Sequence, residues 1–173
     1  MKVNILIVLA LLFIFVTKGF SDGVYTDDLV TFKYTYGTKI QKYGINDGYY
    51  IIKNLGIQGS IQVIPGEYSE EKLKEEVIEK TTKFLHEPSN SNIVYSLMKK
   101  PEVLMIDGTK AYKTTFLIKS TDSVEKITTT IYYLVINGNL VTFMISQNGK
   151  VLELSTIEKK LLTIINSFKL RAR

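Results

Sequence analysis

The sequence predicts an α+β domain, a largely antiparallel β-sheet with helices packed on it. Three observations carry this. Short stretches alternate apolar and polar residues with period two, the period of a strand. Two stretches, Ser69 to Leu85 and about Ser155 to Ser167, switch to helical spacing. Asp107-Gly108 and Asn137-Gly138 stand between alternating stretches as hairpin signals. The order of strands, helix, a run of strands, helix is that of an α+β fold.

Val30 to Tyr36, "VTFKYTY", alternates strictly, with Val30, Phe32, Tyr34 and Tyr36 on one face. Tyr49 to Lys53 and Ser60 to Ile64 follow as strands, separated by glycine-containing turns, and Pro65-Gly66 ends the third. Gly56-Ile57-Gln58 before Gly59 reads as a turn or bulge. In the first helix Leu73, Val77, Ile78, Phe84 and Leu85 form the apolar face, and Ser69 is its N-cap. Glu70–Lys74, Glu76–Lys80 and Glu79–Lys83 are i,i+4 pairs in the favoured order, so its charges make a solvated outer face. His86, Glu87 and Pro88 close it, and residues 89–92 form a loop.

Four or five strands come next: Ile93–Met98, Glu102–Ile106, Ala111–Lys119, Lys126–Ile136 and Leu140–Ser146. Lys99-Lys100-Pro101 reads as a basic loop tip between the first two. The later half of Lys126–Ile136 is apolar on both faces, which places it centrally in a sheet covered on both sides. Lys110 and Lys113 lie three apart in a strand, on opposite faces, and cannot clamp one anion together. The last helix starts at a capping box, Ser155 with Glu158. Its stripe of Leu154, Ile157, Leu161, Ile164, Ile165 and Phe168 must lie on the sheet.

The N-terminus is read apart from the fold. Lys2 precedes an uninterrupted apolar run of 12 residues, Ile5 to Val16, and Gly19-Phe20-Ser21 offers small residues at a cleavage site. This is the order of a secretory signal peptide over residues 1–21, followed by one domain over 22–173. The alternative is an uncleaved membrane anchor. A spanning helix needs about 20 apolar residues, and this run is shorter. The expected location is therefore secreted or periplasmic, with no stable membrane span after cleavage.

Composition removes several classes of chemistry. The 173 residues contain no cysteine, which excludes disulfides, thiol catalysis and thiolate metal sites. Loss of residues 1–21 takes Lys2 and Lys18 and no acid, so the formal charge falls from +5 to +3. That mild charge, with arginine only at 171 and 173, does not suit a nucleic-acid partner.

Four segments together resemble a known family: "SEEKLKEEVIEKTTKFL", "IDGTKAYKTTF", "TTTIYYLVINGNLVTFMIS" and "IINSFKL". They are similar to the PsbP-like superfamily, especially its bacterial exported DcrB-like branch, from about Val30 to Leu170. The resemblance implies an α/β/α sandwich around an antiparallel sheet. Its members assist the photosystem, bind partner proteins or reside in the envelope, and they share no catalytic set to carry over. The family's frequent P-x-x-W after the first strand is missing, and "YGTKIQKYGIN" stands there instead.

Few residues look like chemistry. His86 is the single histidine, and it reads as a helix-end residue favoured by the dipole. Neither a G-x-S-x-G elbow nor a glycine-rich phosphate loop is present. Asp27, Asp28 and Asp47 sit in turns, where aspartate caps its own backbone; as oxygen ligands they are also the residues a hard divalent cation would use. Among the 11 tyrosines, Tyr43, Tyr49, Tyr50 and Tyr132 are the set assigned to a partner surface, although tyrosine is also an ordinary strand residue. The sequence thus points to an exported non-enzymatic domain, without cofactor or metal, that binds a protein partner in the cell envelope or outside the cell. The alternative is a carrier or sensor of a small apolar ligand in the same compartment.

Overall fold

The computed structural model describes residues 22–35, 37–43, 48–54, 57–86, 93–120, 126–148 and 154–171. Residues 1–21, expected as a signal, Tyr36, Asp47, Gly56, residues 87–92, expected as a loop, and the side chains of Phe84, His86, Leu154, Ser155, Ile157 and Glu158 lie outside the described set.

Among the described residues the chain runs β1 (Gly23–Thr26), β2 (Val30–Tyr34), β3 (Lys39–Tyr43), β4 (Gly48–Asn54), β5 (Ile57–Ile64) and α1 (Glu70–His86). It continues β6 (Ile93–Ile106), β7 (Thr109–Ser120), β8 (Lys126–Ile136), β9 (Asn139–Asn148), α2 (Leu154–Ser167) and β10 (Lys169–Leu170). A large antiparallel sheet has the order β3-β4-β5-β9-β8-β7-β6, and a small one has the order β1-β2-β10. This is the expected α+β architecture, an antiparallel sheet with helices packed on it.

Neighbouring residues of one strand enter different cores, which fixes the layers. Tyr112, Tyr133 and Leu140 pack with Leu73 and Val77 of α1. Ala111, Tyr132, Leu134 and Val141 pack instead with Leu161, Ile164 and Ile165 of α2 and with Val30 and Phe32 of β2. The helices therefore cover opposite faces of the sheet. Phe168 ties the second core together, stacking on Phe32 with centroids 6.1 Å apart and meeting Phe143 edge-on at 5.1 Å. Ser167 anchors the end of α2 by accepting the Lys33 N–H at 2.8 Å.

Both hairpin signals act as read. Asp107 and Gly108 have φ of 47° and 76°, and Asn137 and Gly138 have 51° and 74°. Two successive positive φ values make the two-residue turns whose twist matches the flanking strands. Ser69 caps α1, its Oγ accepting the Lys72 N–H at 3.2 Å. β8 lies inside the sheet and is buried on both faces through its middle.

Several expectations are corrected. Of four or five strands expected after the first helix there are four, since Ile93–Met98 and Glu102–Ile106 are one strand, β6, and Lys99-Lys100-Pro101 is no loop tip. Register shifts between Leu97 and Lys99 and between Lys99 and Glu102 absorb the extra residues. An edge strand tolerates Pro101 because its outward side needs no N–H. Residues 57–59 are strand rather than turn. Gly59 serves close approach there, since a Cβ would lie 3.0 Å from the Met144 carbonyl oxygen. Glu70 pairs with Lys110 of β7 at 3.6 Å, across to the sheet, and not with Lys74. The short strands β1, β3 and β10 are additional to the sequence reading.

Candidate functional site

The large sheet is covered unevenly. On the face toward α2 and the small sheet, Tyr50, Ile52, Ile61 and Val63 of β4 and β5 are buried. On the opposite face α1 packs mainly against β6, β7 and β8 and reaches Leu140 and Met144 of β9 and Ile64 at the end of β5, which leaves β3, β4 and the outer part of β5 beyond its main packing among the described residues.

Antiparallel pairing arranges this face in rows. Lys39, Lys53, Gln58 and Ser146 stand side by side in the first. Gln41, Ile51, Ser60 and Met144 make the second, and Tyr43, Tyr49, Gln62 and Thr142 the third. Tyr43 is 43% exposed, and its ring meets Tyr49 edge-on with centroids 6.3 Å apart. The Lys row and the Tyr row lie four residue steps apart, about 14 Å along the strands.

Two of the four assigned tyrosines thus come together on open surface, and two do not. Tyr50 and Tyr132 are 0% and 1% exposed and project to the other face. The alternation along β4 decides this: Tyr49 and Tyr50 are adjacent, so they must point to opposite sides. Tyr132 packs in the α2 core with the Lys113 Nζ 5.6 Å from its ring centre.

Tyr50 belongs to a polar latch that joins the two sheets. Its hydroxyl donates to Asp27 Oδ2 at 2.9 Å, and the Tyr25 hydroxyl donates to the same oxygen at 3.3 Å. Asp27 Oδ1 accepts the N–H groups of Leu29 and Val30, each at 2.8 Å. Lys42 of β3 reaches Asp27 at 3.1 Å and Asp28 at 2.9 Å. Arg171 closes the latch from the C-terminal end, donating to the Asp27 carbonyl at 2.6 Å.

The electrostatics follow. Burial pushes the Asp27 carboxyl upward, but the Val30 and Leu29 N–H groups, Lys42 and Tyr50 outweigh it and hold it below the ordinary value. Burial first, then the hydrogen bond to Asp27 and its charge, push the Tyr50 phenol far above its usual range. Lys42 lowers the exposed Asp28 carboxyl, and Asp28 and Asp27 raise Lys42 in return. Asp27 therefore caps its own backbone, and a lysine ammonium sits between the two carboxylates. Among the described residues no group of three or more His, Asp or Glu side chains could hold a metal ion.

An open cleft of about 500 Å³ lies where α1 begins, lined by Ser69, Glu70, Glu71, Lys74, Lys110 and Tyr112. It takes in Lys110, whose ammonium stands 5.9 Å from the Tyr112 ring centre as well as against Glu70. Its charged lining does not suit an apolar ligand. His86 ends α1.

Sequence reading missed Lys39, Gln41, Lys53, Gln58 and Gln62. "KIQKY" holds a single aliphatic residue, Ile40, so it shows no apolar alternation. One signal was available: Asp47-Gly48 between "KIQKY" and "YYIIK" has the composition of a hairpin connection. That pairing would have set Tyr43 beside Tyr49 and Lys39 beside Lys53.

No family model matches the sequence, and no curated protein does. Solved structures do match the fold. A Bacteroides thetaiotaomicron protein superposes with a TM-score of 0.57 at 10% identity, over 90% of this chain and 50% of its own. The chain thus spans about half the length of that protein. The Saccharomyces cerevisiae Ran-binding protein Mog1p superposes with a TM-score of 0.53 at 9% identity, over 87% of this chain and 96% of its own. LpqN, involved in cell envelope biogenesis of Mycobacterium tuberculosis, has a TM-score of 0.51 and 11% identity, over 88% and 91%. Identities this low carry the fold alone, which this chain shares with Mog1p and LpqN.

Proposed function

We propose that this chain is a non-enzymatic domain that binds a protein partner on the face of β3 and β4 that carries Tyr43 and Tyr49, in the cell envelope or outside the cell. One observation carries the reading. Tyr43 is exposed and meets the half-buried Tyr49 edge-on, on a part of the large sheet that lies outside the main packing of α1 on β6, β7 and β8. Tyrosine offers a large, rigid contact with a polar tip, and it is enriched where proteins meet. Tyr43 and Tyr49 are the partner residues in this reading, while Tyr50 and Tyr132 serve the core.

The fold supports it by likeness: Mog1p binds a protein, and LpqN works in envelope biogenesis. The apolar run Ile5–Val16 supports export, with residues 1–21 as the signal and 22–173 as one domain of the DcrB-like branch. The lone histidine and the absence of cysteine support a role without catalysis, cofactor or metal.

The test has two arms. Mass measurement of the protein recovered from its exporting cell should show a chain beginning at Asp22; an intact N-terminus would overturn the cleaved-signal reading. Replacement of Tyr43 and Tyr49 by Ala should weaken partner binding by about tenfold or more, since interface aromatics commonly contribute at least 1 kcal/mol. Unchanged binding would place the interface elsewhere.

A further inference from the structure

Lys39 and Lys53 face each other directly across β3 and β4, on the same face and both exposed. Like charges in directly opposed positions destabilise a strand pair. Lysine on an edge strand discourages unwanted sheet pairing, and that accounts for Lys39 on β3. It does not account for Lys53, because β4 is an interior strand.

Four other lysines are compensated. Lys42, Lys80, Lys99 and Lys110 each reach a carboxylate. Among the described residues Lys39 and Lys53 reach none, and no carboxylate stands in any of the three rows of this face. Gln41, Gln58, Gln62 and Tyr43 fill the exposed positions instead, with Tyr49 half-buried beside Tyr43. The face is positive at one end and aromatic at the other.

From this we infer that the partner presents an acidic protein surface, with carboxylates set against the Lys39–Lys53 row and a planar or aliphatic group on the Tyr43–Tyr49 pair. This rests on the binding reading above and names the chemistry of its partner. The two contact points are about 14 Å apart, four strand steps, a separation that one face of a small domain spans. Because both lysines are solvent-exposed, their contribution falls as salt screens them.

The substitution Lys53→Glu separates this from a merely structural lysine. It places opposite charges across β3 and β4, so the thermal midpoint should rise by a degree or more while acidic-partner binding falls. The purified protein is titrated with fluorescent poly-L-glutamate, with poly-L-lysine and polygalacturonate as comparisons. Poly-L-glutamate should bind, loosen as salt rises, and lose at least tenfold in affinity in K53E and in K39E/K53E. The double variant K74E/K126E, of equal charge change elsewhere, should bind as the unaltered protein does.

Equal losses in both double variants would reduce the effect to net charge and overturn the inference. Preference for polygalacturonate would assign the face to an acidic glycan and overturn it too. If Y43A/Y49A abolishes partner capture from envelope extract while K39E/K53E does not, the binding face stands and the acidic chemistry falls.

Discussion

Five donors converge on the Asp27 carboxylate: two backbone N–H groups, two tyrosine hydroxyls and the Lys42 ammonium. Removal of that carboxylate leaves the Tyr50 hydroxyl without its acceptor and frees the turn between β1 and β2. Asp27→Ala should therefore destabilise the fold by about 1–3 kcal/mol in urea titration. The pH dependence has a definite sign. The folded carboxyl lies below its ordinary value of 3.8, so its contribution is complete above that value. It is lost as pH falls through the lower folded pKa. The stability gap between the protein and Asp27→Asn should thus shrink between about pH 5 and about pH 2, and a gap that widens on acidification would contradict the latch. Glycine matters at fewer places. Gly108 has φ of 76° with nothing near a Cβ, so Gly108→Ala should cost about 1–2 kcal/mol from backbone strain alone.

At the level of elements, α2 holds the two sheets together through Leu161, Ile164, Ile165 and the adjoining Phe168. Phe168 touches both Phe32 of the small sheet and Phe143 of the large one. Phe168→Ala should cost about 3–5 kcal/mol, read as a lowered denaturation midpoint. β6 shows the opposite concern, protection rather than cohesion. It is an edge strand with exposed Val103 and Met105, interrupted by two register shifts, Pro101 and two lysines. Lys99→Val with Pro101→Val should therefore raise self-association, visible by light scattering. The long elements were legible because their periodicity is strong: α1, α2, β7, β8 and β9 bury apolar residues at regular spacing. β3 was not, since its outward residues are Lys39, Gln41 and Tyr43 and its inward Lys42 serves the latch rather than the core. Nor was the bulged β6, where Lys-Lys-Pro imitates a loop in sequence and is accommodated by an edge in space.

For the whole molecule, the decisive feature is unequal coverage. α2 and the small sheet cover one face of the large sheet, whereas α1 covers the β6–β8 part of the other and reaches β9 and the end of β5 only through Leu140, Met144 and Ile64. The candidate site is what remains open, so it depends on layer arrangement and not on a motif. That is why the sequence could name tyrosines but could not sort them: Tyr49 and Tyr50 are neighbours with opposite fates, and strand register alone separates surface from core. The latch was hidden for a related reason, because Tyr25, Asp27, Lys42 and Tyr50 come from four separate points in the chain. The most direct test places a photo-crosslinking residue at Tyr43 and, in a second protein, at Val103 on the opposite edge, both in the cell that makes the protein. One adduct is expected from position 43, lost when Lys53→Glu is added, and none from position 103. An adduct from 103 with none from 43 would contradict binding on the Tyr43 face.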